Sequence, residues 1–267
     1  MSYYFKIKVK IESPKKPNAF IGSALRGSFG HALKEKSCIN PTYRCEGCFA
    51  KERCLYYEFY EESGGYKPFR FDVEVYQKSY DFSLILFFQE KREADVALVV
   101  DALSWMLKKN GLERERHTFS HATFSVDRLS PLKSIYFLDS SSTVYLKSLT
   151  PFILKQANKK LIKRITLEDI LSSLYKRRAF FEEGRAHAKL SFTPSYELVS
   201  LESNYQKTFR FSDAQSRKIP VEGYSVSLAV KNLDRESYEL LKYGELVAVG
   251  NDTVRGYGRF MLEVGRG

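Results

Sequence analysis

The 267-residue chain has no stretch near the run of about 20 apolar residues that a membrane-spanning helix needs. Its most apolar segment, Phe82 to Phe88 (FSLILFF), has the length of a strand. The N-terminus, MSYYFKIKVKIES, lacks the apolar core of a secretory leader, so a cytoplasmic chain with no membrane partner is expected. Also missing are G-x-S-x-G, a Walker phosphate loop and the G-x-G-x-x-G dinucleotide fingerprint. Histidine is scarce, at 4 residues: His31, His117, His121 and His187. Acidic residues are outnumbered, 32 Asp and Glu against 43 Lys and Arg, for a formal net charge of +11. The basic residues are spread along the chain rather than gathered in a tail. A fold carrying them attracts polyanions, nucleic acid before a membrane surface.

What is present is a globular composition. Hydrophobic residues make up 43% and aromatic residues 15%, mostly from 20 Phe and 18 Tyr, so disorder is not expected. The length suits one large domain or two modest ones, either able to bury a core without disulfides.

Periodicity then orders the elements. Phe5, Ile7, Val9 and Ile11 alternate with Lys6, Lys8 and Lys10, the period of a strand with one apolar face. From Phe20 to about Lys36 the apolar positions Ile21, Leu25, Phe29, Ala32 and Leu33 recur at helical steps, despite three glycines. Phe69 to Val75 and Phe82 to Phe88 read as a hairpin, Ala94 to Lys109 as a helix, and Thr118 to Val126 as a closing strand. The order is β-α-β-β-α-β. The second half repeats it: a strand at Val144–Leu149, a helix at Leu167–Phe181 opened by Thr166, strands at Ala188–Leu201, with a break at Pro194 as the alternative, and Tyr224–Val230, a helix from Asp234 to Tyr243, and strand pieces at Leu246–Val249 and Arg259–Val264. The pattern predicts an α+β chain of tandem ferredoxin-like domains, residues 1–135 and 136–267, joined near 127–142, with a cysteine-rich insertion at 37–56 in the first. A single larger α+β sheet is the alternative.

All 4 cysteines fall in that insertion, spaced C-x6-C-x2-C-x5-C as Cys38, Cys45, Cys48 and Cys54. Gly47 lets Cys45 and Cys48 form a knuckle that aims two thiolates at one metal, and the outer pair completes an all-sulfur site. Zinc leads and an iron–sulfur cluster stays open, since both take four thiolates. Four ligands leave no open coordination position, so such a metal is structural. Four free buried thiols are the plain alternative.

On a helical wheel His31 falls away from the apolar arc, beside Gly27 and near Lys34, facing a groove or solvent. Gly27 and Gly30 leave room for a ligand, and a lysine nearby can steady developing negative charge. Near the C-terminus, YGELVAVGNDTVRGYGRFML carries Gly250, Gly256 and Gly258, with Arg255 and Arg259 bracketing Tyr257. Glycines permit close approach to a phosphate, and two cations around an aromatic suit RNA backbone. Either feature also has an ordinary reading, an exposed histidine or a turn. Among the basic runs, Lys176-Arg177-Arg178 sits near the end of its helix, where cations also offset the helix dipole.

Several ordered pieces resemble the CRISPR-associated endoribonuclease that processes precursor CRISPR RNA, a member of the RAMP superfamily. They are AFIGSALRGSFGHALKE (19–35), the cysteine segment ending CLYYEFYE, FRFSDAQSRKIPVEGYSVSL (209–228) and LKYGELVAVGNDTVRGYGRF (241–260). The resemblance implies two ferredoxin-like (RRM-like) domains and cleavage of repeat RNA without a metal or other catalytic cofactor. In that chemistry the ribose 2′-OH attacks the neighbouring phosphate, leaving a 2′,3′-cyclic phosphate and a 5′-OH. It implies His31 as the catalytic histidine with Lys34 or Lys36 as the cation. The candidate RNA contacts are Arg26, Arg177, Arg178, Arg217, Gly250, Arg255, Gly256, Tyr257, Gly258 and Arg259. CRISPR repeat RNA is the implied partner, together with other CRISPR-associated proteins. The pieces show no matching catalytic tyrosine. A non-catalytic RAMP subunit holding guide RNA would share the fold, and a zinc-dependent RNA-binding module is a third reading.

Overall fold

The computed structural model describes residues 3–265 except 18, 76, 130–141, 157–160, 186 and 213–216. It divides the chain into two compact units, Met1–Leu129 and Ser130–Gly267. Most of the expected 127–142 connection lies outside the described residues.

The first unit is built from β1 (Tyr3–Ile11), α1 (Gly22–Ser37), β2 (Phe69–Asp72), β3 (Phe82–Phe88), α2 (Glu93–Trp105) and β4 (Ala122–Leu129). Its antiparallel sheet has the order β2-β3-β1-β4. Ile7 lies opposite Leu84 on one side and Val126 on the other, so the apolar alternation of β1 sets the register of three strands. Leu25, Phe29 and Leu33 of α1 are fully buried. The Phe29 ring meets Phe69 and Phe71 edge-on at centroid separations of 5.9 and 5.8 Å. Lysines of β1 point the other way, Lys6 pairing with Asp72 at 3.3 Å and Lys8 with Asp127 at 2.6 Å. The end of α2 widens into a π turn, Met106–Asn110, and stops at Gly111, whose φ of +70° only glycine adopts easily.

The second unit repeats the plan with β5 (Thr143–Ser148), α3 (Leu167–Glu183), β6 (Glu197–Ser212), β7 (Arg217–Lys231), α4 (Arg235–Val247) and β8 (Phe260–Gly265), in sheet order β6-β7-β5-β8. Two separate four-stranded sheets, each with two helices, give the tandem ferredoxin-like fold and remove the single-sheet alternative. Thr166 and Asp169 form a reciprocal capping box at the start of α3.

Strand ends shift elsewhere, as where β2 stops at Asp72 and β4 starts at Ala122, and two elements of the second unit differ more from the periodicity. The expected strand from Ala188 begins only at Glu197, because Ser195 N–H donates to the Asp234 carboxylate at 2.8 Å and its carbonyl accepts from Asp234 N at 2.9 Å. That backbone is spent on the start of α4. Leu246–Val249 is not a strand either, since α4 continues through Val247, whose side chain is fully buried along with Leu240 and Leu241. Gly244 makes this possible: a Cβ there would lie 2.6 Å from both Leu174 and Phe260, so a bare backbone lets α4 seat closely.

After α4 the glycine-rich loop folds back on its own unit. Val249 N–H donates to Gly258 O at 2.8 Å, Asn251 N–H to Ile153 O at 2.8 Å and Gly258 N–H to Pro151 O at 3.0 Å. Gly258 has φ +79°, and a Cβ there would fall 1.9 Å from Val249 O. Gly258→Ala therefore combines a left-handed backbone with a backbone clash. It should cost at least about 1–3 kcal/mol, read as a lower melting temperature, while Gly64→Ala, at a positive φ but with nothing within 4 Å, costs less.

Candidate active site

Helix α1 carries the first cluster. Its leading turn holds no acidic residue, so the partial positive charge of the helix N-terminus is left standing, with Arg26 a turn inside it. His31 is exposed. One turn before it, a Cβ on Gly27 would have nothing within 4 Å, so the surface beside the imidazole is open. Gly30 is the reverse: the Tyr60 ring sits where its Cβ would go, 2.7 Å away. The Tyr60 hydroxyl donates to Arg26 O at 2.7 Å, and the Arg26 guanidinium lies over the same ring at 5.0 Å. Ser28 Oγ donates to Gly111 O at 2.7 Å and ties the same turn to the end of α2.

Tyr60 belongs to a π turn, Tyr57–Glu61, which follows the cysteine segment. Tyr56 stacks on Tyr60 at 5.4 Å, and the Lys34 ammonium lies over Tyr56 at 4.9 Å and Tyr43 at 5.6 Å. A ladder of cation and ring thus runs along α1 from Arg26 to Lys34. Tyr43 and Tyr56 stay protonated at neutral pH. The hydrogen bond to Glu35 and burial push Tyr43 up to about 12, and burial with the Glu61 hydrogen bond moves Tyr56 higher still. Lys36 is placed elsewhere, bonded to Asp101 at 3.0 Å and lying over Trp105 at 4.4 Å, so it braces α1 against α2.

Periodicity alone missed Tyr56 and Tyr60. Their i, i+4 spacing in CLYYEFYE, with a glycine face on the preceding helix, was the available signal.

The four cysteines line one cavity. All are free thiols and half-buried. Burial pushes the Cys45 thiol up, with Lys34 pulling the other way. Among the described residues, one trio of metal-ligating side chains comes within 4.8 Å of one another, Glu113, Glu115 and His117, and no three of the sulfurs do. Two of the three already have partners: Tyr80 donates to Glu113, and the Lys15 ammonium sits 3.2 Å from His117 Nδ1.

In the second unit the placement corrects the RNA-contact expectation. Tyr257 is 1% exposed, its hydroxyl 3.1 Å from Thr208 Oγ1, and offers no stacking face. Arg177 is buried and donates to Gly250 O, clasping the loop to α3. Gly250 N–H is also spent, donating to Ser173 Oγ at 2.9 Å, and Gly256 N–H donates to Thr253 O. With Gly250, Gly256 and Gly258 all buried, these amides face their own protein rather than a phosphate. The cause is the topology: the loop must cross the 151–153 backbone closely to bring β8 beside β5. Arg178 lies over Tyr175 at 5.8 Å, Arg255 is paired with Asp252, and Arg259 is half-buried; these three keep part of their surface in solvent. Arg217 opens β7, and its side chain lies outside the described residues.

Residues 2–148 match the family model AF_1859_N, an N-terminal domain. This chain belongs to the AF_1859_N family. No curated protein matches this AF_1859_N chain by sequence. Among solved structures, the Cas6 (TTHB231) product complex is 14% identical, with 98% of this chain and 99% of that one covered at a TM-score of 0.58. The Cas6 (TTHA0078) product complex gives 17% identity, 98% and 100% coverage and the same TM-score, 0.58. Thermus thermophilus Cas6 (TTHB231) gives 13%, 98% and 98%, and 0.54. At such identities the likeness is one of fold, carried through both units.

The Gly30–Tyr60 contact yields a direct test. Gly30→Ala drives a methyl into the Tyr60 ring and should cost about 1–3 kcal/mol as overpacking, with Tyr60→Ala offsetting part of it in the double variant. Chemical denaturation of the four proteins in that cycle measures the coupling.

Proposed function

We propose that this chain is an endoribonuclease that cleaves precursor CRISPR RNA within its repeats, by attack of the ribose 2′-OH on the adjacent phosphate and without a metal in the reaction. The observation that carries the reading is the exposed His31 on α1, beside the open surface at Gly27, in a chain whose whole fold follows that of Cas6 proteins solved as product complexes.

The side chains present suit the steps. A neutral imidazole nitrogen on His31 accepts the 2′-OH proton as the oxygen attacks phosphorus; the protonated ring is the form that donates to the 5′ leaving oxygen. Excess negative charge on the phosphorane needs a cation. Lys34, one turn further along α1, fills that role here, and Arg26 with the uncompensated N-terminus of α1 draws the backbone in. Lifting Lys34 from two half-exposed tyrosine rings costs about 0.5–1 kcal/mol each, which a charge-assisted bond to phosphate offsets. Tyr43 and Tyr56 are held protonated and are not the base. In the second unit the exposed parts of Arg178, Arg255 and Arg259 supply nonspecific phosphate contacts, and the buried Tyr257 and Arg177 hold the loop that carries two of them.

The test is cleavage of a labelled repeat RNA from the host's own array in excess EDTA, with end mapping of the products. Wild type should leave a 2′,3′-cyclic phosphate and a 5′-OH. His31→Ala should lower the rate about 10²–10⁴-fold with RNA affinity nearly unchanged. Binding should weaken steeply with salt as counterions are released. Tight binding with no cut by wild type would replace this reading with a guide-holding RAMP subunit.

A further inference from the structure

Residues 39–53 leave the end of α1 and return without burying one side chain; Ile39 is 69% and Phe49 76% exposed. The segment is nevertheless folded into defined turns. Tyr43 N–H donates to Asn40 O at 3.0 Å, Asn40 Nδ2 to Arg44 O at 2.9 Å and Cys48 N–H to Cys45 O at 3.2 Å, and Lys51–Arg53 forms a 3-10 turn. Ordering a backbone costs roughly 1–2 kcal/mol per residue, and here no apolar burial offsets it.

What converges instead is sulfur. Cys38 is the C-cap of α1, Cys45 and Cys48 flank the reversal at Gly47 with φ +66°, and Cys54 closes the 3-10 turn. The four thiols share one cavity, with Arg44 and Lys51 also on its wall. We infer that Cys38, Cys45, Cys48 and Cys54 bind one zinc ion as a tetrahedral tetrathiolate that staples this segment to α1.

The chemistry balances. Four thiols lose four protons on binding Zn²⁺, giving a centre of net charge −2, and Lys34, Arg44 and Lys51 are the cations placed around it. A filled site has sulfurs about 3.8 Å apart, from a Zn–S bond of about 2.3 Å. Here no three of the sulfurs lie within 4.8 Å of one another. A rotamer change at a cysteine moves its sulfur by about 3 Å, so side-chain rotation with small loop adjustment closes the gap. Four soft ligands leave no coordination position for water or substrate, so the ion serves the fold.

The staple also reaches the candidate active site. Cys54 O accepts from Glu58 N–H at 3.1 Å, so fixing Cys54 fixes the turn that carries Tyr56 and Tyr60 against α1. The metal site itself does not rest on the ribonuclease reading, and its test needs no RNA.

The full-length chain is purified from zinc-supplemented cells and its metal content measured by mass spectrometry beside Cys45→Ser/Cys48→Ser. One zinc per wild-type chain and loss of it in the variant are expected. Cobalt reconstitution should give the d–d and thiolate charge-transfer bands of a tetrahedral sulfur site. Wild type stripped of metal should be cut by trypsin at Arg44, Lys51 or Arg53 at least tenfold faster than the loaded protein, a readout that stands even if the variant fails to fold. Iron with inorganic sulfide would overturn the zinc assignment. A metal-free native protein with four thiols open to Ellman's reagent, and trypsin cleavage indifferent to zinc, would overturn the site.

Discussion

The ring of Tyr60 occupies the space that a side chain at position 30 would need, and the arrangement around His31 depends on that contact. Because Gly30 is bare, the π turn lies flat on α1, the Tyr60 hydroxyl reaches the Arg26 carbonyl, and Tyr56 stacks behind it to meet Lys34. The helix is held from its other flank by Ser28 on Gly111 and by Lys36 on Asp101. The strip that includes Gly27 and His31 is left open: His31 is exposed and a Cβ on Gly27 would meet nothing within 4 Å. A helix gripped on both flanks and open along one strip presents a histidine at a defined place without enclosing it, which suits a long, charged ligand better than a small molecule needing a closed pocket.

The second unit uses glycine for a different end. Its loop is a clasp, in which backbone meets backbone at distances that exclude a Cβ, and the amides that might have cradled phosphate are consumed inside the unit. Arg177 contributes to that clasp because burying a guanidinium requires an acceptor, and the Gly250 carbonyl is within reach. Other cations are likewise committed, with Lys6, Lys8, Arg92, Arg235, Lys242 and Arg255 all paired with carboxylates. Each such pair removes one charge of each sign, so the net charge of +11 is unchanged and rests on the basic residues outside these pairs.

Much of the fold was legible because local period and global burial agree. Phe5, Ile7, Val9 and Ile11 alternate in sequence and are all buried in the sheet, and Leu25, Phe29 and Leu33 recur at helical steps and are all buried beneath α1. Legibility failed where tertiary contacts overrode pattern. Ser195 reads as strand and is taken by Asp234, while Val247 reads as strand and completes a helix that Gly244 lets pack closely. It failed too for long side chains. Nothing local distinguishes the buried Tyr257 from an exposed stacking platform, or Arg177 from its solvent-facing neighbour Arg178.

By itself the sequence determined the element order, the doubling of the ferredoxin-like plan, the placing of His31 off the apolar arc, and the confinement of every cysteine to one short segment. These depend on spacing along the chain, which sequence states directly. The tertiary structure alone decided that Tyr60 seats on Gly30, that Lys34 lies among tyrosines, that four cysteines converge on one cavity, and that the glycine loop closes on itself. Each of those joins residues brought together by the packing of one element on another. Such a contact is fixed by shape and by satisfaction of buried polar groups, neither of which is written in local periodicity.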